Sequence, residues 1–289
     1  MKVDERISFD HAQIGGVRLH YARAGEGRRL VLLLHGFPEC WYSWRHQLLA
    51  LSEEFTVVAP DLRGYNLSDK PARVSDYKLE TLVDDVIGLI HHFGHQQAAA
   101  IGHDWGAGIV WRMAQDYPAY LWKLGAFQSP PPVIWRRNLT FKQLLAMWYA
   151  FFFQLPAVPE FLLSVNDYAV LERAMRGTTA EKGVFTDEDI AVYREAWKQP
   201  GALSTMLNYY RANILRRFAV REQNEKRITV PTLFVYGQQD KAILPETVRN
   251  VGSVIDAPFE EFFVPLSGHW VQQEAAEAVN QILLEFLAS

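Results

Sequence analysis

Short apolar runs alternate with longer segments of helical period along the first part of the chain. Continuous apolar runs lie at residues 30–34, 55–59 and 98–101, which predicts strands buried on both faces of a parallel sheet. Residues 17–21 alternate as a half-buried strand does. Residues 79–93 repeat apolar side chains three and four positions apart, which predicts an amphipathic helix. This alternation favours an α/β fold, a mostly parallel sheet with helices on both faces.

The alternation breaks in the middle of the chain. After an apolar run at residues 124–128, three consecutive prolines at 130–132 cannot continue a strand. The segment that follows is aromatic and helical in pattern, and strand-like runs return only at residues 230–237 and 261–264. We therefore predict an α/β core with an inserted α-helical cap. The predicted core comprises residues 1–132 and 223–289, and the predicted cap comprises residues 133–222.

Composition and charge narrow the class of protein. Hydrophobic residues make up 49% of the 289 residues and charged residues 21%, the balance of a soluble globular protein with a sizeable core. The net charge is −4 without a block of like charges, so no nucleic-acid partner is expected. The single cysteine, Cys40, excludes an internal disulfide and fits a reducing compartment. The charged N-terminus leads into no apolar segment, so we expect no secretory signal and a cytoplasmic protein.

One segment tests the expectation of a soluble protein. Residues 143–159 carry no charge and include Trp148, Tyr149 and three consecutive phenylalanines. The segment is shorter than the roughly 20 apolar residues that a membrane span needs. Two prolines, Pro156 and Pro159, also interrupt it. We therefore predict a buried or pocket-lining helix here, and no membrane partner.

The strongest chemical signal is the sequence Gly-His-Asp-Trp-Gly-Ala-Gly at residues 102–108. It follows an apolar run and precedes a helical segment, which is the pattern of a nucleophile elbow. In such an elbow a sharp turn holds one side chain above the sheet, and small flanking residues let the backbone pass closely. The central residue is Asp104, where most elbows carry serine. A carboxylate that attacks a saturated carbon forms an alkyl ester, so the pattern indicates opening of a strained or activated C–O or C–halogen bond.

Two further residues complete a candidate catalytic triad. Asp240 follows the predicted strand at 230–237, and His269 follows the one at 261–264. The order nucleophile, acid, histidine is that of the α/β-hydrolase triad, and each residue ends a strand, where open α/β sheets bind their ligands. Taken singly, Asp104 fits a helix N-cap, Asp240 a turn residue and His269 a loop histidine. Together, their ordered roles favour catalysis.

A candidate oxyanion hole lies at residues 35–38, His-Gly-Phe-Pro, which follow the predicted strand at 30–34. In such folds this loop supplies one backbone N–H donor, and the residue after the nucleophile supplies the other. The predicted donors are therefore the amides of Phe37 and Trp105. The alternative is an ordinary strand-to-helix turn, and the sequence does not decide whether Pro38 is cis.

Four motifs resemble the α/β-hydrolase-fold epoxide hydrolases. They read HGFPECWYSWR at residues 35–45, DLRGYNLSDKP at 61–71, GHDWGAG at 102–108 and GHWVQQE at 268–274. The resemblance spans nearly the whole chain, and several motifs in register make it far more specific than the elbow alone.

The resemblance implies two cap tyrosines that hydrogen-bond the epoxide oxygen. The first falls on Tyr149. The second aligns best with Tyr210, and Tyr209 remains a rival. From the residues alone, core packing is the alternative for these tyrosines, because the cap is rich in aromatic side chains. Ring opening expels a strongly basic alkoxide, however, so a positioned acid is required, and such donors contribute about 10²–10⁴-fold.

The aromatic cap predicts an apolar substrate pocket of the usual ligand-site kind. The predicted substrate contacts are Phe37, Trp105, Phe153 and Trp270. Further apolar lining is expected from Phe151, Phe152 and Leu155. Glu39 and His103 flank the site in the sequence, and we expect them to make structural hydrogen bonds.

The reaction implied is conversion of an epoxide to a vicinal diol through an ester on Asp104, hydrolysed by water that His269 and Asp240 activate. No metal or organic cofactor is expected, because the chain has no Cys/His cluster of metal-ligand spacing. The expected partners are a small-molecule epoxide and water. The identity of the epoxide, the enantiomer, the carbon attacked and the oligomeric state stay open, a homodimer included. Detoxification, catabolism and signalling are all compatible roles.

A dehalogenase on the same fold is the alternative function. Haloacid-type members carry arginines one and four positions after the nucleophile, where this chain has Trp105 and Gly108. Haloalkane-type members share the tryptophan but typically carry asparagine at the position of Phe37. Both differences from the dehalogenases favour an epoxide hydrolase. A serine esterase is disfavoured because the elbow holds no serine, and a catalytically dead hydrolase used for ligand sensing is disfavoured by the complete set of candidate catalytic residues.

Overall fold

The computed structural model describes residues 4–219 and 226–289. The strands of the described part are β1 (Ser8–Ile14), β2 (Val17–Ala24), β3 (Leu30–Leu34), β4 (Thr56–Pro60), β5 (Ala98–His103), β6 (Leu121–Phe127), β7 (Thr232–Gly237) and β8 (Phe259–Val264). They form one sheet in the order β1-β2-β4-β3-β5-β6-β7-β8. β2 is antiparallel to β1 and to β4, and the other neighbouring pairs are parallel. The prediction of a mostly parallel α/β sheet is confirmed.

The α-helices of the described part fall between and after these strands. They are α1 (Arg45–Leu51), α2 (Leu79–His92), α3 (Trp105–Asp116), α4 (Pro132–Arg137), α5 (Phe141–Ala146), α6 (Trp148–Phe152), α7 (Val158–Gly177), α8 (Asp187–Trp197), α9 (Ala202–Ala219), α10 (Val271–Glu274) and α11 (Ala276–Ala288). The predicted helix at 79–93 corresponds to α2, whose apolar side chains are buried toward the core. Helix α7 is interrupted by residues 165–168, which have non-helical backbone angles.

The predicted strands coincide with the observed ones wherever the strand is fully buried. Every residue of β3, β4, β5 and β7 is buried, which explains why each is a continuous apolar run. The strand that the sequence pattern missed is β1. It lies at the edge of the sheet, pairs with β2 alone and exposes much of its length, so it needs no apolar run to form.

Six helices, α4 to α9, and no strand occupy the described residues between β6 and β7. This is the region where the sequence predicts an inserted cap over residues 133–222. The predicted end of the cap, at residue 222, lies outside the described residues. No helix in the described part of the chain has the length and apolar character needed to cross a bilayer.

The topology places the candidate catalytic residues at one edge of the sheet. Asp104 follows β5, Asp240 follows the parallel strand β7, and His269 follows β8. The loop that contains Phe37 follows β3, which pairs with β5 in parallel. Because the carboxyl ends of parallel strands meet at the same edge, residues far apart in the sequence converge on one site.

Candidate active site

Asp104 occupies the sharp turn between β5 and α3. Its backbone has φ of 52° and ψ of −111°, a left-handed conformation that residues other than glycine rarely adopt. Residues held in such sparsely populated regions cost about 1–3 kcal/mol and cluster at active sites. The turn is tight, since a Cβ at Gly106 would collide with the backbone of Leu34. The sharp strand-to-helix turn expected of an elbow is therefore present, with the Asp104 carboxylate at the edge of the sheet.

The loop after β3 contacts the carboxylate directly. The backbone N–H of Phe37 donates a hydrogen bond to Asp104 Oδ1 at 3.0 Å. The neighbouring Gly36 permits this approach, because a Cβ there would overlap the Asp104 side chain. The Phe37–Pro38 peptide is cis. Trp105, the other predicted donor, begins α3 immediately after the turn.

His269 and Asp240 form a buried pair. His269 Nδ1 lies 2.8 Å from Asp240 Oδ2, and the amides of Ala242 and Ile243 donate to Asp240 Oδ1 at 2.6 and 2.9 Å. Burial by itself lowers the pKa of His269, but the negative charges of Asp240, Asp104 and Glu39 outweigh it and raise that pKa to about 9. The imidazole is thus oriented by one carboxylate and lies near enough to Asp104 to sense its charge.

Glu39 and His103 link the loop after β3, the end of β5 and the loop after β8. Glu39 Oε2 accepts from the amide of Gly36 at 3.0 Å and lies 2.8 Å from His103 Nδ1. The other ring nitrogen of His103 lies 2.8 Å from the carbonyl oxygen of His269. Burial raises the pKa of Glu39, but His103 and the Gly36 amide outweigh that and hold it below its usual range. The prediction of structural hydrogen bonds for both residues is confirmed.

Two cap tyrosines share a cavity with the nucleophile. The cavity has a volume of about 250 Å³, and Asp104, Trp105, Tyr149 and Tyr210 contribute to its wall. The rings of Tyr149 and Tyr210 lie 6.0 Å apart. The pKa of Tyr149 is raised above its usual range, mainly by burial and then by the charges of Asp104 and Asp240. Burial, followed by the charges of Tyr149 and Asp104, also raises the pKa of Tyr210, so both phenols are protonated at neutral pH.

Tyr209 points elsewhere, although it neighbours Tyr210 on α9. Its hydroxyl donates to the backbone oxygen of Arg63 at 2.7 Å, and its ring lies 5.1 Å from that of Tyr65. Successive helix residues diverge by about 100°, so only one of two adjacent tyrosines can face the cavity. The structure assigns that position to Tyr210.

The predicted substrate contacts divide into three groups. Trp105 lines the cavity. Phe37 and Phe153 pack their rings on Tyr210, at 5.3 and 5.0 Å, and so support a wall of the cavity. Trp270 is buried against the cap, where its indole N–H lies 2.8 Å from Thr178 Oγ1. Within the described residues, Trp270 is absent from the cavity wall.

The prediction that Phe151, Phe152 and Leu155 contribute apolar lining to the cavity is only partly correct. Phe152 is half-buried beside Phe153, with ring centroids 6.1 Å apart. Phe151 is 41% exposed and Leu155 is 47% exposed, so both side chains lie on the outside of the cap. The prediction of a buried or pocket-lining helix over 143–159 holds for the side that lines the cavity and not for these exposed side chains. Two short helices, α5 and α6, present one side to the cavity and the other outward.

Gln143 links the cap to the acid of the triad, a contact that the sequence analysis missed. Its side chain is buried, donates to the carbonyl of Ala242 at 2.8 Å and accepts from the amide of Leu244 at 2.8 Å. Ala242 is also a donor to Asp240. The available signal was an amide side chain in an uncharged apolar segment, since a polar group buried there must find partners.

Charged side chains surround the opening of the cavity. Arg112 Nε lies 2.6 Å from Asp116 Oδ2, and Lys226 Nζ lies 3.0 Å from Asp116 Oδ1. Arg112 also approaches Glu80 at 3.5 Å. These partly exposed ion pairs contrast with the buried Trp105, so the cavity runs from a charged opening to an aromatic interior.

Fold and site together define an α/β hydrolase with an aspartate at the nucleophile position. The α/β hydrolase fold family matches residues 29–276. The chain is 43% identical to AB hydrolase superfamily protein YfhM of Bacillus subtilis (strain 168), over 97% of this chain and 98% of that protein. It is 38% identical to Epoxide hydrolase 4 of Mus musculus, over 94% of this chain and 77% of that protein.

Comparison with solved structures also finds epoxide hydrolases. The Bacillus megaterium epoxide hydrolase in complex with an inhibitor superposes with a TM-score of 0.89 at 32% identity, covering 97% of this chain and 100% of that one. Epoxide Hydrolase A from Mycobacterium thermoresistibile has a TM-score of 0.85 at 31% identity, with 98% of both chains covered. The chain belongs to the α/β-hydrolase-fold epoxide hydrolase family and is a hydrolase.

Proposed function

We propose that this enzyme converts an epoxide to a vicinal diol through a covalent ester on Asp104. The observation that carries the proposal is the composition of one cavity, in which Asp104 shares the wall with Tyr149 and Tyr210. A carboxylate and two protonated phenols are the groups that ring opening needs, because the carboxylate attacks carbon while the phenols stabilise the departing oxygen. Relatives that are named epoxide hydrolases support the same substrate class.

In the first half of the reaction, a carboxylate oxygen of Asp104 attacks one carbon of the epoxide ring. The bond between that carbon and the ring oxygen breaks, and the oxygen takes a proton from Tyr149 or Tyr210. The products are a hydroxyalkyl ester on Asp104 and a tyrosinate. The apolar surroundings favour this step, since a desolvated carboxylate is a stronger nucleophile than one in water.

In the second half, His269 removes a proton from water, and the resulting hydroxide attacks the ester carbonyl carbon of Asp104. The amides of Phe37 and Trp105 stabilise the oxyanion, a contribution of about 10²–10³-fold for each donor in comparable sites. The support for this role is the hydrogen bond from Phe37 to a carboxylate oxygen of Asp104. The C–O bond to the substrate then breaks, the leaving alkoxide takes the proton of the carboxylic acid formed at Asp104 and departs as the diol, and His269 keeps the proton that it took from water.

The pKa of His269 suits this order of events. With Asp104 ionised, its charge is one of the causes that raise the pKa of His269 to about 9, so the ring is protonated at neutral pH. Esterification removes the charge of Asp104 and leaves a tyrosinate, so transfer of the His269 proton to the tyrosinate restores the phenol and forms the neutral base that activates water.

The test separates the two halves of the reaction. His269→Gln, incubated with styrene oxide, is expected to accumulate a protein species heavier by one substrate molecule in intact-protein mass spectrometry. The native protein is expected to form diol without a lasting adduct, and Asp104→Asn is expected to form neither. Rapid diol formation by His269→Gln with no adduct would contradict the role given to the histidine. Halide release from a haloalkane without diol from any epoxide would instead identify a dehalogenase.

A further inference from the structure

The backbone of the loop after β7 orients the acid of the candidate triad. The amides of Ala242 and Ile243 both donate to Asp240 Oδ1, at 2.6 and 2.9 Å. The direction of this carboxylate therefore depends on how the two peptide groups are held. On the core side, the hydroxyl of Tyr236 donates to the carbonyl oxygen of Ile243 at 2.7 Å. One of the two donors to Asp240 is thus fixed by a residue of β7 itself.

The other donor is held from the cap, by Gln143. The side-chain amide of Gln143 donates to the carbonyl oxygen of Ala242 and accepts from the amide of Leu244, both at 2.8 Å. A strand in parallel pairing binds its neighbour in the same way, through the carbonyl of one residue and the N–H of the residue two positions later. One side chain of the cap therefore takes the place of a neighbouring strand along this loop.

Gln143 is itself held in place. Its side chain is fully buried, and its backbone N–H donates to Thr140 Oγ1 at 3.1 Å at the start of α5. Burial of an amide is unfavourable unless its donor and acceptor are both bonded, as they are here. Gln143 and Ile243 both line the cavity, so the contact between α5 and the loop of Asp240 lies at the cavity wall.

We propose that Gln143 is a positioning residue for Asp240, through which the cap controls hydrolysis of the ester on Asp104. The inference rests on the proposed function, since it assigns Gln143 to the second half of that reaction. Its effect passes through Ala242 to Asp240, whose Oδ2 lies 2.8 Å from Nδ1 of His269. Formation of the ester uses the Asp104 carboxylate and the two cap tyrosines instead, so it does not depend on this connection.

A contact that only attaches the cap to the core predicts a different result, and Asn138 provides the matched control. Asn138 lies in the cap between α4 and α5, and its side-chain amide donates to the carbonyl oxygens of Thr247 and Arg249, at 3.3 and 2.8 Å. These two residues follow the loop of Asp240. Asn138→Ala therefore removes hydrogen bonds between cap and core without touching the peptide groups that bind Asp240.

NMR titration of His269 tests the positioning without any epoxide. The charge of Asp240 and its hydrogen bond raise the pKa of His269, so a displaced carboxylate should lower that pKa. Gln143→Met keeps the length of the side chain and removes both hydrogen bonds, and it is expected to lower the pKa of His269. Gln143→Asn is too short to span both groups and is expected to lower it less. Asn138→Ala is expected to leave it at the native value.

Single-turnover kinetics with styrene oxide test the effect on the reaction. Gln143→Met is expected to form the ester at a rate within about twofold of native and to hydrolyse it about 10–100-fold more slowly, because a small misplacement of a catalytic group has an effect of this size. The ester should therefore accumulate in intact-protein mass spectrometry. In Asn138→Ala both rates are expected to stay near native.

Thermal unfolding shows whether each variant folds, and if Gln143→Met does not, Gln143→Asn decides by the same criteria. The proposal is overturned if a folded Gln143 variant keeps the native pKa of His269 and the native rate of ester hydrolysis. It is overturned equally if both halves of the reaction slow by the same factor, or if Asn138→Ala has the same effect. Neither diol nor ester from the native protein would contradict the proposed reaction, whereas the pKa of His269 would still decide whether Gln143 positions Asp240.

Discussion

The core and the cap hold their parts of the site by different forces. In the core, the candidate catalytic groups are fixed by directional contacts, such as the 2.8 Å pair of His269 with Asp240 and the 3.0 Å bond from Phe37 to Asp104. In the cap, Tyr149 and Tyr210 are surrounded by rings, with Phe153 centred 5.0 Å from Tyr210. The core therefore holds its groups by directional contacts, while the cap holds its two tyrosines by aromatic packing.

The difference has a physical reason. Hydrogen bonds and ion pairs in a buried site have narrow geometric limits, and leaving one partner unpaired costs about 1–3 kcal/mol. Aromatic packing tolerates a range of angles and is worth about 0.5–1.5 kcal/mol beyond area burial. A site assembled this way holds the carboxylate and the imidazole within narrow geometric limits and the two phenols within wider ones.

Replacement of the nucleophile is expected to have the largest effect. Asp104→Gly removes the attacking carboxylate, so diol formation should fall by at least about 10⁴-fold. The same change relieves the left-handed backbone at this position, so the free energy of unfolding should rise by about 1 kcal/mol. Asp104→Ala is the control, since it abolishes activity equally but keeps the backbone strain. Steady-state kinetics and urea unfolding measure the two effects, and a less stable glycine variant would contradict the assignment of strain.

Loss of a cap hydroxyl is expected to have the next largest effect. Tyr149→Phe and Tyr210→Phe should each lower kcat by about 10²–10⁴-fold, because the departing oxygen loses a donor. Tyr209→Phe is the matched control on the same helix as Tyr210. Its hydroxyl binds Arg63, so this variant should lose stability by about 1 kcal/mol and keep its kcat. A large fall in kcat for Tyr209→Phe, with Tyr210→Phe near native, would reverse the assignment.

The core and the cap should also differ in their dependence on charge. Glu39→Gln removes a buried carboxylate that accepts from the Gly36 amide and contacts His103, and leaving such partners incompletely paired costs about 1–3 kcal/mol. Glu160→Gln breaks the partly exposed pair with Arg211 in the cap, for which we expect about 1 kcal/mol or less. Denaturant unfolding of both variants measures the difference. Equal losses would show that the two regions do not differ in this way.

The smallest expected effect is a change in the pKa of His269. The charge of Asp104 raises the pKa of His269, so the pKa of that histidine should be lower in Asp104→Asn than in the native protein. Titration of the imidazole by NMR measures this directly. A pKa of His269 that stays at its native value would mean that the two groups are not electrostatically coupled.

Phe37, Asp104 and Asp240 could be predicted because each follows a fully buried strand, whereas His269 follows the partly exposed strand β8. β5 and β7 are readable as apolar runs, and the residues that follow them contain Asp104 and Asp240. The cap residues were harder, because Tyr209 and Tyr210 differ only by their rotation about the axis of α9. The sequence of this aromatic segment also does not show which side chains line the cavity and which lie on the outer face, as the exposed Phe151 and Leu155 demonstrate.

The sequence by itself determined the parallel sheet, the elbow with aspartate at its centre and the order of the triad. These are local properties, set by hydrophobic runs and by which residue follows each run. Only the tertiary structure decided that Tyr210 and not Tyr209 faces Asp104, and that Trp270 packs on the cap. It alone decided that Gln143 ties α5 to the loop of Asp240. Each of these depends on the angle between elements distant in the chain, which packing sets and local sequence does not encode.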